Sequence, residues 1–137
     1  MRLITVVLGT ESANARVDAS QALLNYGFRF FETHKLYDAG TKLTTSRIWK
    51  GSTAAVPLGL DQSLYVTIPR GQYKSLDASM SINDLIMAPV KEGQPLGAVQ
   101  VKLSDEIIAS QPLVSLQTIS EGSFWQRISD EALLYLE

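Results

Sequence analysis

The chain has 137 residues, 45% apolar and 19% charged, with 12 basic against 14 acidic side chains and a formal net charge of −2. That is ordinary usage for a globular chain with a core, and without a basic stripe nucleic acid is excluded as a default partner. There is no cysteine and a single histidine, His34, so disulfides, thiolate chemistry and a His/Cys zinc site are excluded, and no metal or cofactor is expected.

No apolar run approaches the ~20 residues of a membrane-spanning helix. Met1-Arg2-Leu3 leads straight into apolar residues without a charged leader or cleavage site, so any export signal is expected upstream. Leu3 to Leu8 is a continuous, β-branched run ending at Gly9, the pattern of a strand buried on both faces. Nothing that follows offers it an obvious neighbour.

From about Ser12 to Glu32 the period is helical. Ala13, Val17, Leu24, Phe28 and Phe31 fall within ~60° of one another on a helix, and Leu23, Tyr26 and Phe30 form a second apolar arc. A helix with two apolar arcs needs partners on both sides. Residues 1–32 therefore read as a strand and helix of a larger α/β domain. If left uncovered, Val17, Leu24, Phe28 and Phe31 are the candidate surface for a homodimer.

Beyond Thr33 the texture is β. Leu64, Val66 and Ile68 alternate with polar or amphipathic residues, as do Leu76, Ala78, Met80 and Ile82, and then Val99, Val101 and Leu103. The second of these is the cleanest half-buried strand, with Met80 and Ile82 expected on its buried face. Turns fall at Pro69-Arg70-Gly71, Asn83-Asp84, Glu92-Gly93 and Ser104-Asp105. Pro112 is expected to open a last strand running from Leu113 to Ile119. Short strands at regular spacing predict a small antiparallel sandwich or barrel.

At Glu121-Gly122 the pattern changes again. Ser123 and Gln126 have the spacing of a capping box. On the helix they would start, Phe124, Trp125, Ile128, Ala132 and Tyr135 share an arc of ~100°, with Gln126, Arg127 and Asp130 opposite. Phe124, Trp125 and Ile128 are the candidate membrane contacts, and docking back on the domain is the competing arrangement.

Chemistry is sparse. Acyl transfer by a penicillin-recognising serine enzyme needs Ser-x-x-Lys, Ser-x-Asn and Lys-Thr-Gly. None of the lysines at 35, 42, 50, 74, 91 and 102 has a serine three residues before it or a Thr-Gly after it. Ser12-Ala13-Asn14 and Ser81-Ile82-Asn83 match the middle pattern without its partners, and read as a helix cap and a strand running into a turn. His34 reads as a solvent-exposed residue just past a helix. Gly9-Thr10-Glu11-Ser12 lacks the lysine of a phosphate-binding loop. No catalytic residue is assigned.

Several stretches nevertheless resemble one family in one order. Met1 to Gly9 resembles the final core strand of the transpeptidase-like domain in low-molecular-mass penicillin-binding proteins that act as D-alanyl-D-alanine carboxypeptidases. Ala22 to Thr33, with Gly27-Phe28-Arg29-Phe30-Phe31-Glu32-Thr33, resembles that domain's closing helix. Val66-Thr67-Ile68-Pro69-Arg70-Gly71 and Gln111-Pro112-Leu113-Val114 resemble landmarks of the family's C-terminal β domain, and Ile119 to Phe124 its exit into an amphipathic anchor.

The resemblance implies a periplasmic enzyme, peripheral to the inner membrane, that trims peptidoglycan pentapeptides. This chain would be its non-catalytic C-terminal spacer and interaction module, and the rest of the carboxypeptidase its partner. The expected divisions are a strand-helix remnant at 1–32, a β-sandwich at 33–120 and an amphipathic tail at 121–137. From Glu121 onward Arg127 is the only cation, so contact with the membrane surface is expected to be weak. The alternative is a stand-alone β-sandwich module that binds peptidoglycan or a protein through Trp49, Tyr65 and Tyr73.

Overall fold

The computed structural model describes residues 1–136, except for the side chains of residues 124–126. Helix α1 spans Ala13–Phe30 and is followed by strands β1 (Phe31–Tyr37), β2 (Thr44–Arg47), β3 (Ala55–Gly59) and β4 (Leu64–Pro69). After a 3-10 turn at Tyr73–Ser75 come β5 (Leu76–Ile82), β6 (Pro95–Leu103) and β7 (Glu106–Ser115), and helix α2 (Phe124–Leu136) closes the chain.

The fold is mainly β and antiparallel. A two-stranded sheet, β1–β4, packs on a five-stranded sheet in the order β2-β3-β7-β6-β5. The core lies between them. β4 buries Leu64, Val66 and Ile68 while Tyr65 and Thr67 face out, the period-2 signature of one covered face. Val56, Leu58, Val99, Val101 and Leu113 meet them from the larger sheet, and Ile48, Ile86, Val90 and Ile119 close the ends. The β6–β7 hairpin turns on Ser104 and Asp105, whose φ of 51° and 69° are the paired left-handed values that a two-residue turn between twisted strands requires.

Three local expectations are corrected. Leu3 to Leu8 forms no strand, because among the described residues no sheet edge pairs with it. The segment keeps its alternation: Leu3, Thr5 and Val7 are partly covered, Leu3 lying against Gly27 of α1, while Ile4, Val6 and Leu8 point into solvent. Met80 is exposed rather than buried, because β5 is the outer strand of its sheet and only its ends, Leu76 and Ile82, reach the core. The last strand begins at Glu106, not after Pro112. Pro112 pairs with Ala98 inside β7, where the strand's other side is unpaired until Val114, so a residue without an N–H loses no ladder bond on that side. Ile119 lies beyond the strand in a single bridge to Val90.

Candidate functional site

The two places where the helices join the β domain carry its most distinctive side-chain contacts. Ser12 caps α1, its side chain accepting from the Ala15 N–H at 3.0 Å. At the other end the helix passes into β1 without a loop, Phe30 being its last residue and Phe31 the first of the strand. Such a junction leaves terminal carbonyls to be satisfied from outside the helix. Arg70, in the turn after β4, does this: Nε and Nη2 donate to the Phe28 carbonyl at 3.2 and 2.7 Å, and its backbone N–H donates to the Phe30 carbonyl at 2.8 Å. A guanidinium at a helix C-terminus also opposes the negative end of the helix dipole.

Glu32 completes this corner. Its carboxylate is 3.6 Å from Arg70 Nη1 and 3.1 Å from His34 Nε2, whose ring stacks on Tyr73 at 4.4 Å between centroids. Nε2 is shielded from solvent, and its approach to Glu32 is close enough for an ion pair although the angle is poor for a hydrogen bond. The carboxyl of Glu32 is held below its ordinary value, chiefly by the His34 side chain, against the opposing effect of burial and with help from the Gly71 N–H and the charges of His34 and Arg70. His34 is therefore half-covered and engaged, not the free surface residue that its place after a helix suggests.

The second junction seats α2. Lys50 adopts a left-handed φ of 59°, which costs a non-glycine residue roughly 1 kcal/mol. Its N–H donates to Asp130 Oδ2 at 2.6 Å and its carbonyl accepts from Gly122 at 2.8 Å, so both sides of the strained residue are pinned. Arg127 adds a longer pair to Glu121 at 3.7 Å. The helix thus docks through its polar side. Ile128, Ala132 and Tyr135 face outward, Tyr135 being 86% exposed. The side chains of Phe124 and Trp125, named with Ile128 as membrane contacts, lie outside the described residues.

The self-association residues are divided. Val17 and Phe28 are exposed on α1 and Leu24 is half-covered. Phe31 leaves that arc because it already belongs to β1. Its ring sits 6.3 Å from Tyr26, beside the second arc, where Tyr26 also packs on Phe30 at 4.7 Å. Of the aromatic trio, Trp49 is buried under the Arg47 guanidinium at 3.6 Å, leaving Tyr65 and Tyr73 as surface residues. Neither Arg70 nor the pair of Lys50 and Asp130 was singled out by residue type. Arg70 follows a proline in a turn signal, and only the fold brings it to a helix 42 residues away.

Comparison with known proteins decides the family. Residues 31–121 match the family described as penicillin-binding protein 5, C-terminal domain, from the first residue of β1 to the bridge at Glu121. The chain belongs to that family. Its likeness to the D-alanyl-D-alanine carboxypeptidases DacC and DacA of Escherichia coli extends beyond the domain. Identity is 38% over 98% of this chain for DacC and 39% over 95% for DacA. The chain spans about a third of those proteins, 34% and 32% of their lengths. Penicillin-binding protein 5 from Haemophilus influenzae superposes with a TM-score of 0.79 at 31% identity, over 84% of this chain and 34% of that one. The match to the penicillin-binding protein 5 C-terminal domain begins at the first residue of β1.

Proposed function

We propose that the chain serves as the non-catalytic C-terminal region of a serine-type D-alanyl-D-alanine carboxypeptidase of peptidoglycan biosynthesis. Its β domain is a rigid spacer that sets the position of a preceding catalytic domain. The observation that carries this reading is the loop-free passage from α1 into β1, clamped by Arg70 and Glu32. A helix joined through a flexible linker would turn freely, whereas one continuous with a strand and hydrogen-bonded to the turn of that strand's partner, β4, transmits orientation. The exposed apolar arcs of α1 are the surface such a catalytic domain would cover.

The outward apolar side of α2 favours a site of action outside the cytoplasm, against the periplasmic face of the inner membrane. A helix that docks by Asp130 and turns Ile128 and Tyr135 away from its own domain offers a shallow interfacial contact. With Arg127 its only cation, that contact is weak.

The test is acylation. Mixed with a labelled penicillin and with a D-Ala-D-Ala peptide, the chain is expected to take up no label and release no D-alanine, since it lacks Ser-x-x-Lys and Lys-Thr-Gly to activate a serine. Stoichiometric, hydroxylamine-sensitive labelling of any serine overturns the reading.

A further inference from the structure

A cavity of about 670 Å³ lies between the outer side of the β2–β3 hairpin and α2. Arg47, Ser52, Thr53, Ser129 and Asp130 are among the side chains that line it, together with the apolar Ile48, Ala54 and Ala55. Its size falls within the ~300–1,000 Å³ of small-molecule sites. Two features set it apart from an ordinary surface cleft. The Arg47 guanidinium carbon lies 3.6 Å from the centre of the Trp49 ring, and Trp49 is itself buried, so the cation rests on a fixed platform. Among the described residues it has no carboxylate within ion-pair distance, unlike Arg70 and Arg127.

On the facing wall Asp130 commits one oxygen, Oδ2, to the Lys50 N–H. The helix that bears it is thereby held at a defined place, and the second oxygen remains available to a donor. A planar, always-charged fork suits a carboxylate held by two parallel hydrogen bonds, and a carboxylate opposite suits an amide or ammonium N–H.

We propose that this cavity binds a short peptide through its terminal carboxylate, with Arg47 taking the carboxylate and Asp130 an N–H of the ligand. The site stands apart from the spacer role, and either can fail without the other. Its ligand is small and pairs one carboxylate with an N–H donor. The lining mixes the hydroxyls of Ser52, Thr53 and Ser129 with the small apolar groups of Ala54 and Ala55, so selectivity for the acid rests on the charge-assisted contacts.

The experiment is an amide-detected NMR titration of the whole chain with acetyl-Ala-Ala, run beside acetyl-Ala-Ala-amide, which is matched in shape but lacks the charge. Saturable shifts are expected at residues 45–55 and 129–130 with the acid. Binding should weaken about tenfold or more for the amide and for Arg47→Gln, the loss typical of one charge-assisted pair. Arg47→Lys should recover only part, because it keeps the charge and loses the fork. No saturable shift with the acid, equal binding of acid and amide, or shifts confined to other residues each overturn the proposal. The comparison of acid and amide needs no variant, so it stands even if Arg47→Gln fails to fold.

Discussion

Arg70 and Phe28, 42 residues apart, are joined by two hydrogen bonds from one guanidinium to one carbonyl oxygen. Removing the side chain leaves that carbonyl at an exposed helix end, where water replaces the partner. Arg70→Met is therefore expected to lower global stability by only about 1 kcal/mol. Its effect on α1 should be larger in kind: faster amide exchange in the last turn of the helix, with β4 and β6 unchanged. If exchange in α1 and in the β strands shifts equally, the contact is not a local clamp.

Glu32 gives the same corner a dependence on pH. Its folded-state carboxyl lies below the ordinary value of 4.5, first through His34, so the ionised form is favoured by the fold. A depressed carboxylate stabilises above its unfolded pKa, and that contribution disappears as pH falls through the folded value. The wild-type chain should lose stability on acidification below about pH 4.5 more steeply than Glu32→Gln, whose side chain cannot titrate. Melting curves between pH 6 and pH 3 check this. Parallel curves for the two proteins would show that the Glu32 pair contributes nothing to the folded state.

The alternation of β5 is legible in the sequence, but its burial is not. Period-2 patterning shows which residues share a face. Whether that face meets another sheet depends on where the strand falls in the sheet order, and β5 falls at the edge. The same blindness explains His34, which is covered by Tyr73 from the 3-10 turn. What the sequence could convey was local: the cap at Ser12, the turns at Gly71, Gly93 and Ser104-Asp105, and the β4 and β6 core faces. Arg70, Asp130 and Arg47 act across long separations, so their roles depend on topology.

A direct measure of this distinction is the contrast between Met80→Asp and Leu58→Ala. Met80 is 36% exposed at the sheet edge, so the charged variant should stay within ~0.5 kcal/mol of wild type. Leu58 is fully buried, and its truncation leaves a cavity expected to cost about 2–5 kcal/mol. Chemical denaturation separates the two. A severe loss in Met80→Asp would mean that β5 is covered in solution, by a second molecule or by another part of the chain.

In the tail, two variants are expected to separate membrane contact from docking on the domain. Trp125→Ala should remove most of the weak vesicle binding, because Trp is the strongest interfacial residue in the apolar arc. Asp130→Ala deletes the acceptor for the strained Lys50 N–H and should free α2 from the domain, raising amide exchange along the helix without weakening vesicle binding. Co-sedimentation with anionic vesicles and exchange measured on the same samples read the two effects separately. Tight binding that survives Trp125→Ala would place the membrane contact elsewhere.

Self-association is the last expectation, and the structure sharpens its origin. On α1, Val17, Leu23, Tyr26, Phe28 and Phe30 are each at least 46% exposed, and the extended segment before it turns Ile4, Val6 and Leu8 outward. Leu3 on Gly27 shows that this segment lies against the helix, so it covers part of one side and presents its own apolar side in exchange. An apolar surface of that extent seldom stays in water on a soluble monomer, and the unpaired extended backbone of residues 3–8 can pair with a partner. A second copy offers the same surface, so a two-fold pair through residues 1–32 is expected. In a longer carboxypeptidase the preceding domain would occupy the surface instead, and the pair would not form. Light scattering of the whole chain against one beginning at Phe31 tests this, since the β core does not draw on α1. A dimer lost in the shorter chain is the expected outcome. Two monomers at high micromolar concentration would mean that residues 1–8 shield the helix well enough alone, and equal dimers would place the contact on the β domain, most simply at the open edge of β5.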